Sequence, residues 1–187
     1  LNIQLELPLE QCCWIEPCSE DGSAAALAMI CPPDSFVQSL FAGEEQFDRP
    51  REFMFLLDRS GSMEGGQIRR AAEALQLFLR SLPQGCRFNI IGFGSTTEAL
   101  FGSPGDSVAY AAESLTAASE HVQQVSANLG GTELLRPFHL VFGRPVPSGF
   151  ERCIVVLTDG QVSNTQQVLD LVRQNAQVGE IAVYTIG

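Results

Sequence analysis

A short apolar run that ends in oxygen-bearing side chains constrains the fold of this chain more than any other stretch. Residues 53–57 are aromatic or aliphatic without polar alternation, a pattern typical of a strand buried on both faces of a parallel sheet. Asp58, Ser60 and Ser62 follow at alternate positions. Three oxygen-bearing side chains can therefore converge in one tight loop at the carboxyl end of the strand, which is the outline of a site for a hard cation.

Strands and helices are predicted to alternate along the chain after this point. The helical spacing of apolar residues predicts helices over 68–82 and 108–125, a short helix ending at 142, and a further helix around 168–172. Apolar runs predict strands at 88–93, 97–101, 152–157 and 181–186. Because strands that alternate with helices form parallel sheets, we predict an α/β fold with a doubly wound, mostly parallel sheet flanked by helices.

Two further segments are expected to reach the same edge of this sheet as Asp58. Asp159 follows another apolar run, and Thr132 follows a Gly-Gly pair in a loop before the short helix. In doubly wound sheets, ligands bind beyond the carboxyl ends of the strands. We therefore expect both aspartates and Thr132 to lie near Ser60 and Ser62.

In their order and separation, these three segments resemble the metal-ion-dependent adhesion site (MIDAS) of von Willebrand factor A (VWA) domains. Residues 58–62 match its Asp-x-Ser-x-Ser motif, residues 130–132 look like its threonine loop, and residues 157–160 look like its second aspartate segment. The resemblance covers roughly residues 50–187. It implies a Rossmann-like VWA fold with a metal site at the carboxyl edge of the sheet.

The metal ligands that the resemblance implies are Asp58, Ser60, Ser62, Thr132 and Asp159. The three hydroxyl groups are expected to touch the ion, and the two aspartates to act directly or through water. The implied ion is Mg²⁺, with Mn²⁺ or Ca²⁺ as alternatives. Hydroxyl groups carry no charge, so the ion stays electrophilic enough to accept an Asp or Glu side chain from another protein. The implied function is a non-enzymatic, cation-dependent protein–protein interaction module.

The role of Glu133, which adjoins Thr132, is left open by the sequence. Its carboxylate could stabilise the metal or repel the acid of a partner protein. An acidic residue near the start of a helix also interacts favourably with the helix dipole, and we favour this structural interpretation.

Two other functions remain as alternatives. A metal with an open coordination position can activate water, and Asp58 could then be the nucleophile of a hydrolase or phosphotransferase. Such enzymes usually carry a second carboxylate where this chain has Ser60, and the sequence offers no basic cluster for a phosphate. The other alternative is a metal-independent scaffold, suggested by an acidic first segment that is interrupted by prolines.

Four polar residues near these segments have structural interpretations. We predict that Asp106 is the N-cap of the second long helix. His121 and His139 are the two histidines of the chain, and each lies in a predicted helix with a structural or solvated role. Arg59 is interpreted as a surface or packing residue.

Residues 1–50 are predicted to be the end of an upstream β domain and a linker, and residues 51–187 a VWA domain. Alternating apolar residues over 1–7 predict a strand, and an apolar run at 24–30 predicts a second. Similar proteins pair a VIT (vault and inter-α-trypsin inhibitor) domain with the VWA domain. The resemblance also implies that the last helix and strand of the family are missing, so that the strand at 181–186 is an edge prone to association.

The charge of the chain disfavours nucleic acids and anionic membrane surfaces as partners. The formal net charge is −11, and nine acidic residues but no basic ones precede Arg49. No apolar run is long enough to cross a bilayer, and we expect the chain to be part of a longer protein.

The six cysteines do not have the spacing of a zinc site. Cys86 and Cys153 lie in apolar surroundings and are interpreted as small buried residues. This pattern favours an intracellular setting without disulfides over a secreted one.

Overall fold

The computed structural model describes the backbone of residues 12–17, 24–29, 49–160, 165–176 and 181–187, and the side chains of 49–160, 166–175 and 181–187. The strands are β1 (Cys12–Pro17), β2 (Ala24–Met29), β3 (Arg51–Asp58), β4 (Arg87–Phe93), β5 (Thr97–Ala99), β6 (Val108–Ala109), β7 (Glu151–Leu157) and β8 (Ile181–Ile186). The helices are α1 (Gly66–Ser81), α2 (Ala112–Gln124), α3 (Leu135–Phe142) and α4 (Thr165–Ala176), with a 3-10 turn at Gly61–Met63.

Six of the strands form one mostly parallel sheet with β3 at its centre. The order is β5-β4-β3-β7-β8, and β6 also pairs with β4. Strands β4, β3, β7 and β8 run parallel, while β5 and β6 lie antiparallel to β4. Leu57 pairs with Gly92 on one side and with Leu157 on the other, so the carboxyl ends of the three strands are level. This arrangement confirms the predicted sheet.

The side chains of β3 are buried on both faces of the sheet, as the apolar run predicts. Phe53, Phe55 and Leu57 belong to the core beneath α1 and α2. Met54 and Leu56 belong to a second core, beneath α3 and α4. This single strand therefore contributes to both halves of the core. Burial of each large apolar side chain stabilises the fold by about 1.5–3 kcal/mol.

Helix α1 confirms the first predicted helix and shows why it ends where it does. Ile68, Leu75 and Phe78 recur at helical spacing and are buried against the sheet. Leu82 is extended, with ψ 134°, because the proline that follows it disfavours the helical conformation.

The second long helix begins later than predicted. Residues of β6, expected in the helix, instead pair with the first residues of β4, and Val108 packs against the core in that position. The prediction that Asp106 caps this helix is therefore wrong. Its carboxylate accepts a hydrogen bond from the Ser103 N–H at 2.9 Å within a separate turn. Sheet pairing of Val108 thus overrides the helical spacing of the sequence.

A buried ion pair lies at the amino end of the sheet. Arg152 Nε donates to Glu52 Oε2 at 2.7 Å, and both side chains are 1% exposed. The guanidinium also donates to the carbonyl oxygens of Val141 and Arg144 at 2.6 and 2.8 Å. The second oxygen of Glu52 accepts from the Ser107 hydroxyl at 2.6 Å. This network joins β3, β7, the end of α3 with the segment after it, and the residue before β6 at the edge opposite Asp58.

The remaining predicted elements divide between confirmed and undescribed ones. Strand β2 confirms the predicted strand at 24–30, and it pairs antiparallel with β1, which was not predicted. The predicted strand at 1–7 lies outside the described residues.

Cys86 and Cys153 are buried and free, as expected. None of the helices in the described part of the chain is long and apolar enough for a membrane crossing.

Candidate metal centre

Asp58 is the buried anchor of the candidate site. Its side chain is 0% exposed at the end of β3. Oδ1 accepts a hydrogen bond from the Ser60 N–H at 2.9 Å, and Oδ2 accepts one from the Thr158 hydroxyl at 2.7 Å. A buried carboxylate is tolerated when its oxygens are hydrogen-bonded in this way. These two bonds fix the carboxylate and connect the carboxyl ends of β3 and β7.

Two hydroxyl groups lie next to this carboxylate. The Oγ atoms of Ser60 and Ser62 are 2.9 Å apart, with Ser60 buried and Ser62 exposed. Neighbouring oxygens around an octahedral Mg²⁺ with bonds of about 2.0–2.1 Å are separated by about 2.9 Å. The spacing of the two hydroxyls therefore fits adjacent ligands of such an ion.

The main chain brings the Thr132 loop to the same edge of the sheet. The Gly61 N–H donates to the Gly130 carbonyl at 2.7 Å, and the Leu129 N–H donates to the Arg59 carbonyl at 3.0 Å. Gly130 has a φ of 83°, and a Cβ there would lie 2.9 Å from Ser95 Oγ, so a glycine is required. Thr132, two residues later, is half-buried.

The second side of the Thr132 loop is attached to the end of β4. The Ser95 N–H donates to the Leu129 carbonyl at 2.6 Å, and Ser95 Oγ accepts from the Gly131 N–H at 2.8 Å. A Cβ on Gly94 would lie 2.5 Å from the same carbonyl oxygen, so β4 and the loop are in direct contact there. The loop is thus fixed from both β3 and β4.

Arg59 connects the first loop to the segment that precedes Thr132. Its side chain donates through Nε to the Ser126 carbonyl at 3.0 Å, through Nη1 to Glu98 at 3.0 Å, and through Nη2 to Asn128 Oδ1 at 2.7 Å. Arg59 is 7% exposed, so its interpretation as a surface residue is wrong and the packing interpretation is confirmed.

His121 on α2 lies close enough to this arginine for their charges to interact. Burial lowers the pKa of His121, the positive charge of Arg59 lowers it further, and Glu98 acts in the opposite direction. The surroundings of His121 therefore favour the neutral imidazole over the charged one, in keeping with a structural role.

The predicted ligands are connected to different degrees. Hydrogen bonds join Asp58 with the Ser60 main chain and Ser60 with the Ser62 side chain. The main-chain bonds of Leu129 and Gly130 bring Thr132 to the same edge. Asp159 lies at this edge because it directly follows Thr158, which is bonded to Asp58. Glu133 is exposed just before α3, and its N–H donates to the Gly94 carbonyl at 3.3 Å.

Three residues that organise the site were missed in the sequence. The hydroxyl of Thr158 bonds to Asp58, Ser95 supports the Thr132 loop, and Gly94 allows that loop to approach. A glycine at the end of a strand often marks a close approach of another backbone, so Gly94 carried a usable signal. The other two carried none.

The donor set of this site is oxygen-based and dominated by hydroxyl groups. Within the described ranges there is no group of three or more His, Cys, Asp or Glu residues that could bind a metal. Oxygen donors without thiolate or imidazole suit hard cations such as Mg²⁺, Mn²⁺ and Ca²⁺. The residues present therefore fit the implied class of ion.

The fold and the site together define a class of α/β domain whose loops meet at the carboxyl edge of an open parallel sheet. The chain belongs to the von Willebrand factor type A domain family, because the family model of that description matches residues 51–187.

Related proteins of human and of Dictyostelium discoideum are named for the same domain. The chain is 46% identical over 125 residues to human von Willebrand factor A domain-containing protein 5B1 and 41% identical over 145 residues to human protein 5A. It is 39% identical over 153 residues to a VWA domain-containing protein of Dictyostelium discoideum. These matches cover 67%, 73% and 82% of the chain, but only 10%, 18% and 16% of the relatives. The chain therefore spans a small part of each relative's length.

Solved structures share the fold. A von Willebrand factor type A protein from Catenulispora acidiphila matches with a TM-score of 0.59 and 24% identity over 73% of this chain and 33% of that chain. An aerotolerance-related membrane protein from Bacteroides fragilis matches with a TM-score of 0.61 and 21% identity over 73% of this chain and 67% of the other. At this identity the likeness establishes the fold alone.

Proposed function

We propose that this domain is a divalent-cation-dependent protein–protein interaction module. In this proposal, Mg²⁺ binds at the carboxyl edge of the sheet and accepts an Asp or Glu side chain from another protein. The observation that carries the proposal is the pair of serine hydroxyls 2.9 Å apart beside a buried carboxylate. Such a donor set leaves the ion undersupplied with negative charge, which a partner's acid can provide.

The proposed ligands have distinct roles. Ser60, Ser62 and Thr132 would contact the ion through their hydroxyl oxygens. Both oxygens of Asp58 already accept hydrogen bonds, so this residue suits an interaction with the ion through water. Asp159 would supply the second negative charge, directly or through water. When bound, the ion supplies an electrophilic point of attachment for the partner.

The same geometry disfavours the enzymatic alternative. A carboxylate nucleophile must reach its substrate, whereas Asp58 is 0% exposed and is fixed by two hydrogen bonds. The relatives are named as VWA domain-containing proteins, without an enzymatic activity in their names. A non-enzymatic role is therefore the one that we propose.

Calorimetric titration with Mg²⁺ and with Mn²⁺ tests the metal site. Ser62→Ala removes one exposed hydroxyl with little effect on folding, and we expect it to weaken binding at least about tenfold, the scale of losses from supporting residues of metal sites. Asp58→Ala should weaken binding more strongly. Ser81→Ala is the control, because its hydroxyl donates to the Leu77 carbonyl at the far end of α1. Equal affinity in all four proteins would remove the proposal.

Capture of partners from cell extract tests the interaction itself. The wild type should retain partners in Mg²⁺ and lose them in excess chelator, and Ser62→Ala should show reduced capture in Mg²⁺. A metal-independent scaffold would capture the same partners equally well with chelator present. That result would contradict the proposed mechanism even if the domain binds Mg²⁺.

A further inference from the structure

We infer that Arg59 is a positioning residue of the proposed metal site, which fixes the Thr132 loop in the place where its hydroxyl can reach the ion. This inference rests on the proposed function. Arg59 lies between Asp58 and Ser60 in the chain, yet its side chain is directed to the segment before Thr132. It therefore links two of the loops that supply ligands.

The guanidinium satisfies three separate acceptors with three different nitrogens. Nε donates to the Ser126 carbonyl, Nη2 to Asn128 and Nη1 to Glu98, at 2.7–3.0 Å. Two of these acceptors lie in the short segment that connects α2 to Thr132. A lysine retains the charge but has one nitrogen, so it cannot reproduce this fork.

The segment that receives these bonds has no regular secondary structure of its own. Between the end of α2 at Gln124 and the start of α3 at Leu135, the described residues form neither helix nor strand. On the β3 side, the segment is attached by the two main-chain bonds of Leu129 and Gly130 and by the two side-chain bonds of Arg59. The side chain of Arg59 thus supplies two of these four hydrogen bonds, and its carbonyl accepts a third.

The sheet provides space for the arginine stem at one glycine. A Cβ on Gly92 would lie 2.7 Å from Arg59 Cδ, which is closer than packed atoms allow, and 3.1 Å from Nη1, which is a tight contact. Gly92→Ala therefore displaces the Arg59 side chain, while the residues that accept the hydrogen bonds of Arg59 keep their identity. If Arg59 positions the loop, this substitution should weaken metal binding as a direct change of Arg59 does.

The experiment compares Arg59→Lys with Arg152→Lys in calorimetric titrations with Mg²⁺ and Mn²⁺. Arg152 is the control, because it is also a buried arginine bonded to several acceptors but lies at the opposite edge of the sheet. We expect Arg59→Lys to weaken metal binding about 10- to 100-fold, as is usual for residues that orient metal ligands. Arg152→Lys should lower thermal stability but leave the affinity of the folded protein within about twofold.

A double variant separates positioning from general destabilisation. If Arg59 acts through the Thr132 loop, then Arg59→Lys has no further effect once Thr132→Ala has removed the ligand. The affinity of the double variant should equal that of Thr132→Ala within about twofold. Independent, multiplicative losses would overturn the inference, as would equal losses for Arg59→Lys and Arg152→Lys.

Two milder variants keep the inference testable if Arg59→Lys does not fold. Asn128→Ala removes only the acceptor of Nη2, from an exposed residue, and should weaken metal binding about 2- to 10-fold. Gly92→Ala should weaken it as well. If the wild type binds the metal and both variants bind it with unchanged affinity, the inference is overturned but the proposed function is not. Absence of binding by the wild type would instead overturn the proposed function on which it rests.

Discussion

Replacement of Arg152 by methionine should show how much stability is lost when the buried Glu52 carboxylate at the amino end of the sheet is left without its ion-pair partner. Arg152 and Glu52 are each 1% exposed, and their charged atoms are 2.7 Å apart. Methionine fills much of the same space but leaves the Glu52 carboxylate and the carbonyls of Val141 and Arg144 without their donor. Water cannot easily replace these bonds in a buried position.

The structure sets the expected magnitude of this loss. Removal of one partner from a buried ion pair costs about 3–5 kcal/mol. The Ser107 hydroxyl still donates to Glu52, so we expect a value near the lower end, about 3 kcal/mol. With an unfolding entropy of about 0.3 kcal/mol per degree for a domain of roughly 140 residues, Tm should fall by about 10 °C.

Urea unfolding followed by circular dichroism, with differential scanning calorimetry for Tm, measures this change. The control is the double variant Glu52→Gln with Arg152→Met, in which no buried charge is left alone. It should be more stable than the sum of the two single changes predicts, by about 0.5–3 kcal/mol. A loss of less than about 1 kcal/mol for Arg152→Met would refute the reasoning, because it would show that water or another group takes the place of Arg152 beside Glu52 in the variant.

Three further measurements test other parts of the structure. Because the folded protein lowers the pKa of His121 from 6.5, the unfolded chain binds more protons below that pH, and stability should fall as pH falls from 7 to 5. His121→Gln should flatten this slope in urea unfolding, and an unchanged slope would contradict the assignment. Burial raises the pKa of Cys86 and Cys153 to about 12, so iodoacetamide should modify them only after unfolding, as peptide mass spectrometry can show. Gly94→Ala should cost about 1–3 kcal/mol of unfolding free energy, since its Cβ would lie 2.5 Å from Leu129; stability like that of the wild type would mean that the loop yields freely.

The central strand could be predicted because the length and residue types of its apolar run favour a buried strand. An uninterrupted apolar run at residues 53–57 is too short for a typical helix, and a strand covered by helices on both faces buries all of it. The oxygen-bearing residues after β3 and β7 then lie at one edge as a matter of topology. The ligand set itself stays a prediction until metal binding is measured.

The start of α2 could not be predicted because two periodicities compete there. Val108 fits the helical spacing of the residues that follow, but its backbone pairs with β4 and its side chain packs against the sheet. Helical spacing alone does not reveal such a partner, which lies about 20 residues earlier in the chain.

The interactions of Arg59 were hidden from the sequence for a related reason. Its acceptors lie 39 to 69 residues away, on segments whose relative position exists only in the folded sheet. An arginine in a polar loop is exposed in most proteins, so composition favours the wrong interpretation. The glycine at position 92 is the one sequence signal here, because its lack of a side chain leaves space for the aliphatic part of Arg59.

The central position of β3 has a consequence during synthesis of this protein on the ribosome. The hydrogen bonds at its two ends, from Arg152 to Glu52 and from Thr158 to Asp58, each join residues 100 positions apart. At about 5–20 residues per second, translation needs about 5–20 s to make the second partner after the first. During that interval the edge of β3 that pairs with β7 is open, and an unpaired apolar strand edge makes a nascent chain prone to association.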